Sequence, residues 1–566
     1  MEIEDFPREL EEDKQPSFGI DDNNAELAKL RAAVHENPDN PEPWEQLVRA
    51  AESQEGGLNR NASPQAINSF RLIYDRFLAK FPLFFGYWKR YAELEFAIAG
   101  TEAAEMVYER GVASITNSVD LWMNYCAFKV ETCHDAQTIR DLFERGAKNV
   151  GLDFLAHPFW DKYIEFEERF EGHAQIFAIL SRIIHIPMHQ YARYFERFRN
   201  LAASRPLDEL VPADTLEQYR TEVIAAGGEK SDVEMERELR VGKIDQHFLG
   251  VFSKTQAETT KRWTYEQEIK RPYFHTEDLD PAQLANWGKY LDFEEAEGDY
   301  ARIIFLYERC LVTAAYYEEF WLRYARYMSK YPEKYQEVRN IYQRASCLFA
   351  PIAKPQVRIH YALFEESQKD MVQNPNEEAN RVAIAQDIHE SILYVLPGHI
   401  DTIISLANLA RRHGGVDAAI SKYMDFIDGE ATGCDNATRG ALVGEVARLL
   451  SKVKGNHDEA RFLYKRSVGK YFGVRKFWES WLLFEIDLPA ASGHDSAIKA
   501  VWDDVRQNSG LDEDTVKELG TLYMRFLVER GGPEAAKEYL RLDRELFGPA
   551  SVKKEDDVKS ITMADE

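Results

Sequence analysis

A chain of 566 residues is too long for one hydrophobic core and points to several domains or a repeat array. Its 45% hydrophobic and 12% aromatic residues supply ample core, while a formal net charge of −27 repels free polyanionic nucleic acid and favours protein partners. Five scattered cysteines without a CxxC pair, an acidic start (MEIEDFPRELEEDKQ) in place of a secretory leader, and no run of ~18 apolar residues predict a soluble chain in a reducing compartment, with no membrane span.

Residues 1–24 and 546–566 are polar, charged and low in apolar content, and are expected to be disordered. From residue 25 onward two patterns alternate. The first unit runs from Trp44 to Leu78. An aromatic triplet then returns as Trp88-x2-Tyr91-x3-Glu95, Trp122-x2-Tyr125-x2-Phe128 and Trp160-x2-Tyr163-x2-Phe166-Glu167. Further copies are Trp287-x2-Tyr290-x2-Phe293-Glu294, Trp321-x2-Tyr324-x2-Tyr327 and Trp478-x2-Trp481-x2-Phe484-Glu485. Residues spaced this way fall on one narrow arc of a helix, so each segment reads as a helix with a thick aromatic stripe. The second pattern follows the first: Tyr74-Asp-Arg76, Tyr108-Glu-Arg110, Phe143-Glu-Arg145, Tyr307-Glu-Arg309, Tyr342-Gln-Arg344 and Tyr464-Lys-Arg466. Arg71, Arg140, Arg339 and Arg461 stand three residues before their aromatic. Small or apolar neighbours such as Gly111-Val112 and Gly146-Ala147 offer notches for the indoles of the first helix.

The period is 34 residues from Trp88 to Trp122 and again from Trp287 to Trp321. Two helices and a turn in that length make a helical hairpin. One hairpin cannot bury its own stripe, so the hairpins must stack into an all-α, TPR-like solenoid. Segment 203–262 lacks the stripe, is rich in Glu, Lys and Gln, and reads as a helical connector between repeat blocks at 25–202 and 263–545.

Trp-x2-Tyr-x2-Phe-Glu followed by Tyr-Glu-Arg resembles the half-a-tetratricopeptide (HAT) repeat, a family tied to RNA-processing complexes. The pattern decays at Arg358-x2-Tyr361-x2-Phe364-Glu365 and through 400–470, and returns near Tyr523-x2-Phe526. Within that family the layout is similar to the pre-mRNA-processing factor 39 family, most clearly in Ile269-Lys-Arg-Pro-Tyr-Phe-His275 and His157-Pro-Phe-Trp160-Asp-Lys-Tyr163. The resemblance implies a nuclear protein of the U1 snRNP acting in 5′ splice-site recognition. It also implies pairing through the C-terminal block, as a homodimer or with a paralogue. The large repeat subunit of cleavage stimulation factor and the crooked-neck-type scaffolds are alternatives. The 203–262 spacer and the Arg-Pro-Tyr-Phe-His run argue against both.

No catalytic, cofactor or metal site is expected. Gly227-Gly-Glu-Lys-Ser231 lacks phosphate-loop spacing, Pro187 breaks the helix that would pair His185 with His189, and Cys133-His134-Asp135 lies in a turn. Interleaved Trp, Tyr and Arg also fit base stacking on RNA, but a stripe repeating with the hairpin reads first as core. Basic clusters at Arg193/Arg197/Arg199, Lys261-Arg262 with Lys270-Arg271, Arg411-Arg412-His413 and Arg475-Lys476 read as solvated faces, so direct RNA contact is a minor expectation. Finally, Glu95 with Arg110 and Glu294 with Arg309 are expected to pair the two helices of one repeat.

Overall fold

The computed structural model describes residues 25–228, 231–368, 375–429, 433–489 and 493–548, and every regular element among them is helical. The disorder expected at 1–24 and 546–566 lies outside these residues except at 546–548, where the expectation is corrected. At the other end of the described chain, the last helix runs on to Phe547.

Side chains set the helix starts. Ser63, Ser118, Asp135, Asp299, Asp435 and Asp512 each accept a hydrogen bond from a first-turn backbone N–H. Pro41, Pro64, Pro158 and Pro281 occupy first-turn positions where no intrahelical donor is needed. Between partner helices the reversal is abrupt. Gly100 (φ 93°) separates Phe85–Ala99 from Thr101–Ser114, and Gly298 (φ 82°) separates Pro281–Glu297 from Tyr300–Thr313.

Packing divides the chain into two compact units, Met1–Phe320 and Trp321–Glu566. In the first unit the early hairpins stack in chain order up to helix Tyr191–Ala202. The connector that follows is helical and has a small core of its own around Val211, Leu216, Val223, Leu239 and Ile244. Helix Asp245–Glu266 then runs back beside Tyr191–Ala202, with Phe252 against Phe195 and Phe248 against Phe198.

Past that helix the chain closes over the turns between early hairpins. Phe274, from the Arg-Pro-Tyr-Phe-His run, is buried between Phe84 (5.2 Å) and Tyr316 (5.4 Å). The Asn117 amide donates to the Phe305 carbonyl at 3.4 Å, and Arg309 meets Asp153 at 3.1 Å. The first unit therefore includes the hairpin that carries Trp287.

In the second unit one core runs from Ala362 to Leu542. Two of its features explain the faint motif there. Helix Ile400–Asp428 is broken at Gly415 (φ 82°), so a turn hides inside one apolar rhythm. Near the end, Trp502 of the preceding helix stacks on Tyr523 at 5.7 Å, and Gly520 takes the register that Trp holds elsewhere. A Cβ at Gly520 would lie 2.5 Å from Leu546 and 3.0 Å from Trp502, so no larger residue fits there.

The stripe tryptophans are the largest buried side chains, with Trp122, Trp160, Trp287, Trp321 and Trp478 all at 2% exposure or less. Replacing Trp287 by Ala should lower stability by about 3–5 kcal/mol, as large-to-small core changes do. Urea or thermal denaturation measures this, and an unchanged midpoint would place the indole outside the core.

Candidate interaction surfaces

Hairpins join one another through rings. The aromatic of a second helix stacks on the Tyr or Trp of the next hairpin's first helix. The pairs are Tyr74–Tyr91 (4.7 Å), Tyr108–Tyr125 (5.1 Å), Phe143–Tyr163 (4.5 Å), Tyr265–Tyr290 (5.0 Å), Tyr342–Tyr361 (5.6 Å) and Tyr464–Trp481 (5.4 Å). Each of these planes lies within 27° of parallel. The adjacent indole caps the incoming turn: Trp88, Trp122 and Trp478 donate to the carbonyl six residues earlier, at Pro82 (2.8 Å), Thr116 (2.8 Å) and Phe472 (2.7 Å). Tyr324 and Trp321 are likewise buried.

The pairing expected within a repeat is corrected by this geometry. Glu95 does not meet Arg110, and Glu294 does not meet Arg309. The motif Glu faces backward, across the hairpin boundary, although Glu365 also receives Arg381 (2.9 Å) and Glu294 lies 3.6 Å from Arg302, both on the second helix of the same hairpin. Arg71 grips Glu95 (2.7 and 2.8 Å), Arg140 grips Glu167 (2.7 and 3.0 Å) and Arg262 grips Glu294 (2.7 and 2.9 Å). Arg339 holds Glu365 (2.6 and 2.9 Å) and Arg461 holds Glu485 (2.9 Å) in the same fork. The physical reason is register. The Glu lies two turns beyond the Trp, on the arc facing the preceding second helix, where the Arg one turn before the stacked aromatic reaches it. All five carboxylates are at most 3% exposed.

The Arg two residues after the stacked position, with Arg182 after Leu180 in the same register, makes a different contact. Arg110, Arg145, Arg182 and Arg309 lie over the indoles of Trp88, Trp122, Trp160 and Trp287 at 5.5–5.8 Å. Each also pairs with the acid beside the previous hairpin's stacked aromatic: Asp75, Glu109, Glu144 and Glu266, at 2.9, 2.9, 2.7 and 2.5 Å. Those acids in turn accept from the hydroxyls of Tyr91, Tyr125, Tyr163 and Tyr290. At Arg309 the ladder is buried and gains Asp153. Burial opposes the guanidinium's charge there, but Asp153 and Glu266 outweigh it and hold the group above the ordinary arginine range.

Sequence reading missed two members of this system. Arg262-x2-Tyr265-Glu266 has the spacing of Arg71-x2-Tyr74-Asp75, yet it stood as a basic cluster at the edge of the connector. It is a full rung. The Glu105–Lys129 pair (2.6 Å) occupies the same two registers with the charges exchanged.

The enzyme-like motifs resolve into caps and ends. Asp135 caps helix Ala136–Val150, Ser231 forms a capping box with Glu234, and helix His173–Ile183 ends before His185. No group of three or more His, Cys, Asp or Glu among the described residues is placed to hold a metal, and none of their helices is long and apolar enough to cross a membrane. The basic clusters are largely answered by acids: Arg193 by Asp161, Arg199 by Asp245, Lys261 by Glu258 and Glu297, Arg412 and His413 by Glu366, Arg475 by Glu518. A surface so neutralised has little charge left for phosphates.

A concavity opens in the second unit. A groove of about 830 Å³ opens beside helices Asn436–Arg448 and Arg475–Asp487, lined by Ala437, Ala441, Tyr464, Leu483 and Phe484 among others. Gly444 keeps it close: a Cβ there would come within 2.7 Å of Ser480.

Two family models match the chain, PRP39 N-terminal HAT repeat over residues 28–200 and PRP39 C-terminal HAT repeat over 260–412. The chain is 46% identical over 551 residues to pre-mRNA-processing factor 39 of Schizosaccharomyces pombe, covering 93% of this chain and 87% of that protein. It is 31% identical over 466 residues to pre-mRNA-processing factor 39 of Xenopus laevis, covering 79% and 68%. More distantly, it is 22% identical over 324 residues to the U1 small nuclear ribonucleoprotein component PRP42 of Saccharomyces cerevisiae, covering 56% and 59%.

The rungs make a sharp expectation. A double-mutant cycle on Arg140→Ala and Glu167→Ala should show coupling above ~1 kcal/mol, with Glu167 left uncompensated by Arg140→Ala costing about 3–5 kcal/mol. The Glu95/Arg110 cycle should show far weaker coupling. Exchanging Glu105 and Lys129 for Lys and Glu together should recover most of what either change loses alone.

Proposed function

The chain belongs to the pre-mRNA-processing factor 39 family of HAT-repeat proteins, and from that premise we propose that it is a non-enzymatic scaffold of pre-mRNA splicing in the nucleus. It serves as a component or close associate of the U1 snRNP at 5′ splice-site recognition, and it acts by presenting surfaces to protein subunits. The relative named as a U1 small nuclear ribonucleoprotein component supports the particle.

The observation that carries the scaffold reading is where the polar chemistry goes. Motif carboxylates and arginines are consumed in joining hairpins, and the titratable side chains that resembled catalytic sets cap helices. What remains for function is outer surface, held at fixed spacing by the stack.

The C-terminal block supplies self-association, as a homodimer or with a paralogue. Its groove between Asn436–Arg448 and Arg475–Asp487 is apolar enough to take a helix from a mate. Direct contact with RNA is secondary, given a net charge of −27 and basic clusters already paired.

Affinity capture of the tagged chain from nuclear extract should enrich the U1 small nuclear RNA with its proteins. Recovery of another small nuclear RNA in its place would contradict the assignment. Sedimentation of the purified chain should give twice the 65.5 kDa chain mass, and Leu483→Glu in the groove should shift it toward monomer. A dimer indifferent to that change would move the interface elsewhere.

A further inference from the structure

Histidine gathers at one joint of the first unit. Turn 184–190, between helices His173–Ile183 and Tyr191–Ala202, is where helix Asp245–Glu266 fastens on the repeat block. The Thr255 hydroxyl donates to the Ile184 carbonyl at 2.7 Å, and the His189 N–H donates to the Phe154 carbonyl at 2.7 Å. The His189 ring lies within 18° of parallel to the Trp263 indole at 6.3 Å, and Phe154 stands 6.1 Å from the same indole. Beside them is His157, the first residue of helix His157–Arg169, with its ring 5.4 Å from that of His189.

The same joint seats the hairpin that follows. Trp263 shares its helical turn with Arg262 and Glu266, which hold Glu294 and Arg309. Asp153, beside Phe154, reaches Arg309 as well. Whatever moves helix Asp245–Glu266 off turn 184–190 therefore moves the seat of helices Pro281–Glu297 and Tyr300–Thr313.

The imidazoles in this joint are built to stay neutral. The Nδ1 atoms of His157 and His189 are both shut off from solvent, with no hydrogen-bond partner among the described residues. A neutral ring carries its one proton on Nε2 and leaves Nδ1 bare; a second proton would create a shielded N–H donor with no acceptor. The charges nearby add to that penalty. His157 faces Arg193 and Asp161, and the Asp161 carboxylate is already taken by Arg193 (2.7 Å) and the Tyr194 hydroxyl (2.7 Å). At the other end of the turn, His185 faces His247 and Lys254 of helix Asp245–Glu266. Burial, and then His189, holds His157 below the ordinary histidine range; burial, then His247 and Lys254, does the same to His185. Freed from the joint, an imidazole returns to about 6.5, so the open joint binds more protons than the closed one. Its stability is complete above that pH and is lost as pH falls through it toward the depressed values of the closed state.

We propose that turn 184–190 with His157 is a proton-operated clasp: its neutral imidazoles hold helix Asp245–Glu266 against the first repeat block, and proton uptake releases that helix together with the Trp287 hairpin it seats. Pro187 supports this use of the turn, because it keeps His185 and His189 off one helix face and lets each meet a different part of helix Asp245–Glu266. A modest acidification would thereby change the separation of surfaces that the stack otherwise fixes.

Hydrogen–deuterium exchange of the full chain tests this, read as protection factors so that the chemical pH dependence of exchange cancels. Between about pH 7.5 and about pH 5.5, protection in 184–190 and in Asp245–Glu266 should fall roughly tenfold or more, since each proton taken up on opening contributes up to about tenfold per pH unit. Helix Pro64–Lys80 of the same unit should keep its protection over that range. Changing both His157→Gln and His189→Gln, side chains that do not titrate, should shrink the fall to about threefold or less. Either single change carries the test if the pair does not fold, because one titrating ring fewer lowers the slope. Protection at the joint that ignores pH, a fall as steep in the variants as in the wild type, or an equal fall in Pro64–Lys80 would each overturn the proposal.

Discussion

An ionised carboxylate almost wholly removed from water is unstable unless a cation is delivered to it, and in this chain the cation comes from the hairpin before. Glu95, Glu167, Glu294, Glu365 and Glu485 each receive a two-pronged guanidinium from the preceding second helix. A slipped register would strand a buried charge on one side and a guanidinium on the other. Such pairs add little net stability against an apolar substitute, but they penalise wrong neighbours severely. The parallel aromatic stacks alongside supply the attraction, and the charges supply the fit.

Two registers in the chain support that division of labour. Where the fork is inverted, as Glu105 with Lys129, both charges change sign together. Where the pattern would place another pair, Phe177 and Phe198 stack at 5.2 Å, and no charge is left alone. In these registers the two positions change together. A scaffold needs this more than an enzyme does, because its product is distance: binding surfaces stay at fixed separation only if each hairpin seats on the last in one way.

The hairpin solenoid was legible because its signal is physical and repeated. A Trp–Tyr stripe at helical spacing has nowhere to go but between helices, so Trp88, Trp122, Trp160, Trp287 and Trp478 could be placed from sequence. The partner of each charge was not legible. Glu95 and Arg110 sit in one repeat, and nothing in a linear pattern tells whether a side chain turns toward its own hairpin or the one before. The repeated Arg at three before the aromatic held that answer, since it is pointless unless something meets it. Arg262-x2-Tyr265-Glu266 was hidden by the connector's composition, and Asp153 by distance, for no local motif announces a residue that meets Arg309 across the unit. In 400–428 a glycine turn at Gly415, without Pro or a polar cluster, left two helices looking like one.

Motif charges chiefly couple neighbouring hairpins, and Arg381 on Glu365 and Arg302 near Glu294 are additions from within a hairpin. Hydrogen–deuterium exchange on Arg140→Ala, resolved by peptide, tests this coupling most directly. Arg140 lies on helix Ala136–Val150, its hairpin partner is Val119–Thr132, and its carboxylate lies on His157–Arg169. Protection should fall in His157–Arg169, across the boundary, more than in Val119–Thr132. Loss confined to Val119–Thr132 and Ala136–Val150, with His157–Arg169 unchanged, would contradict the account.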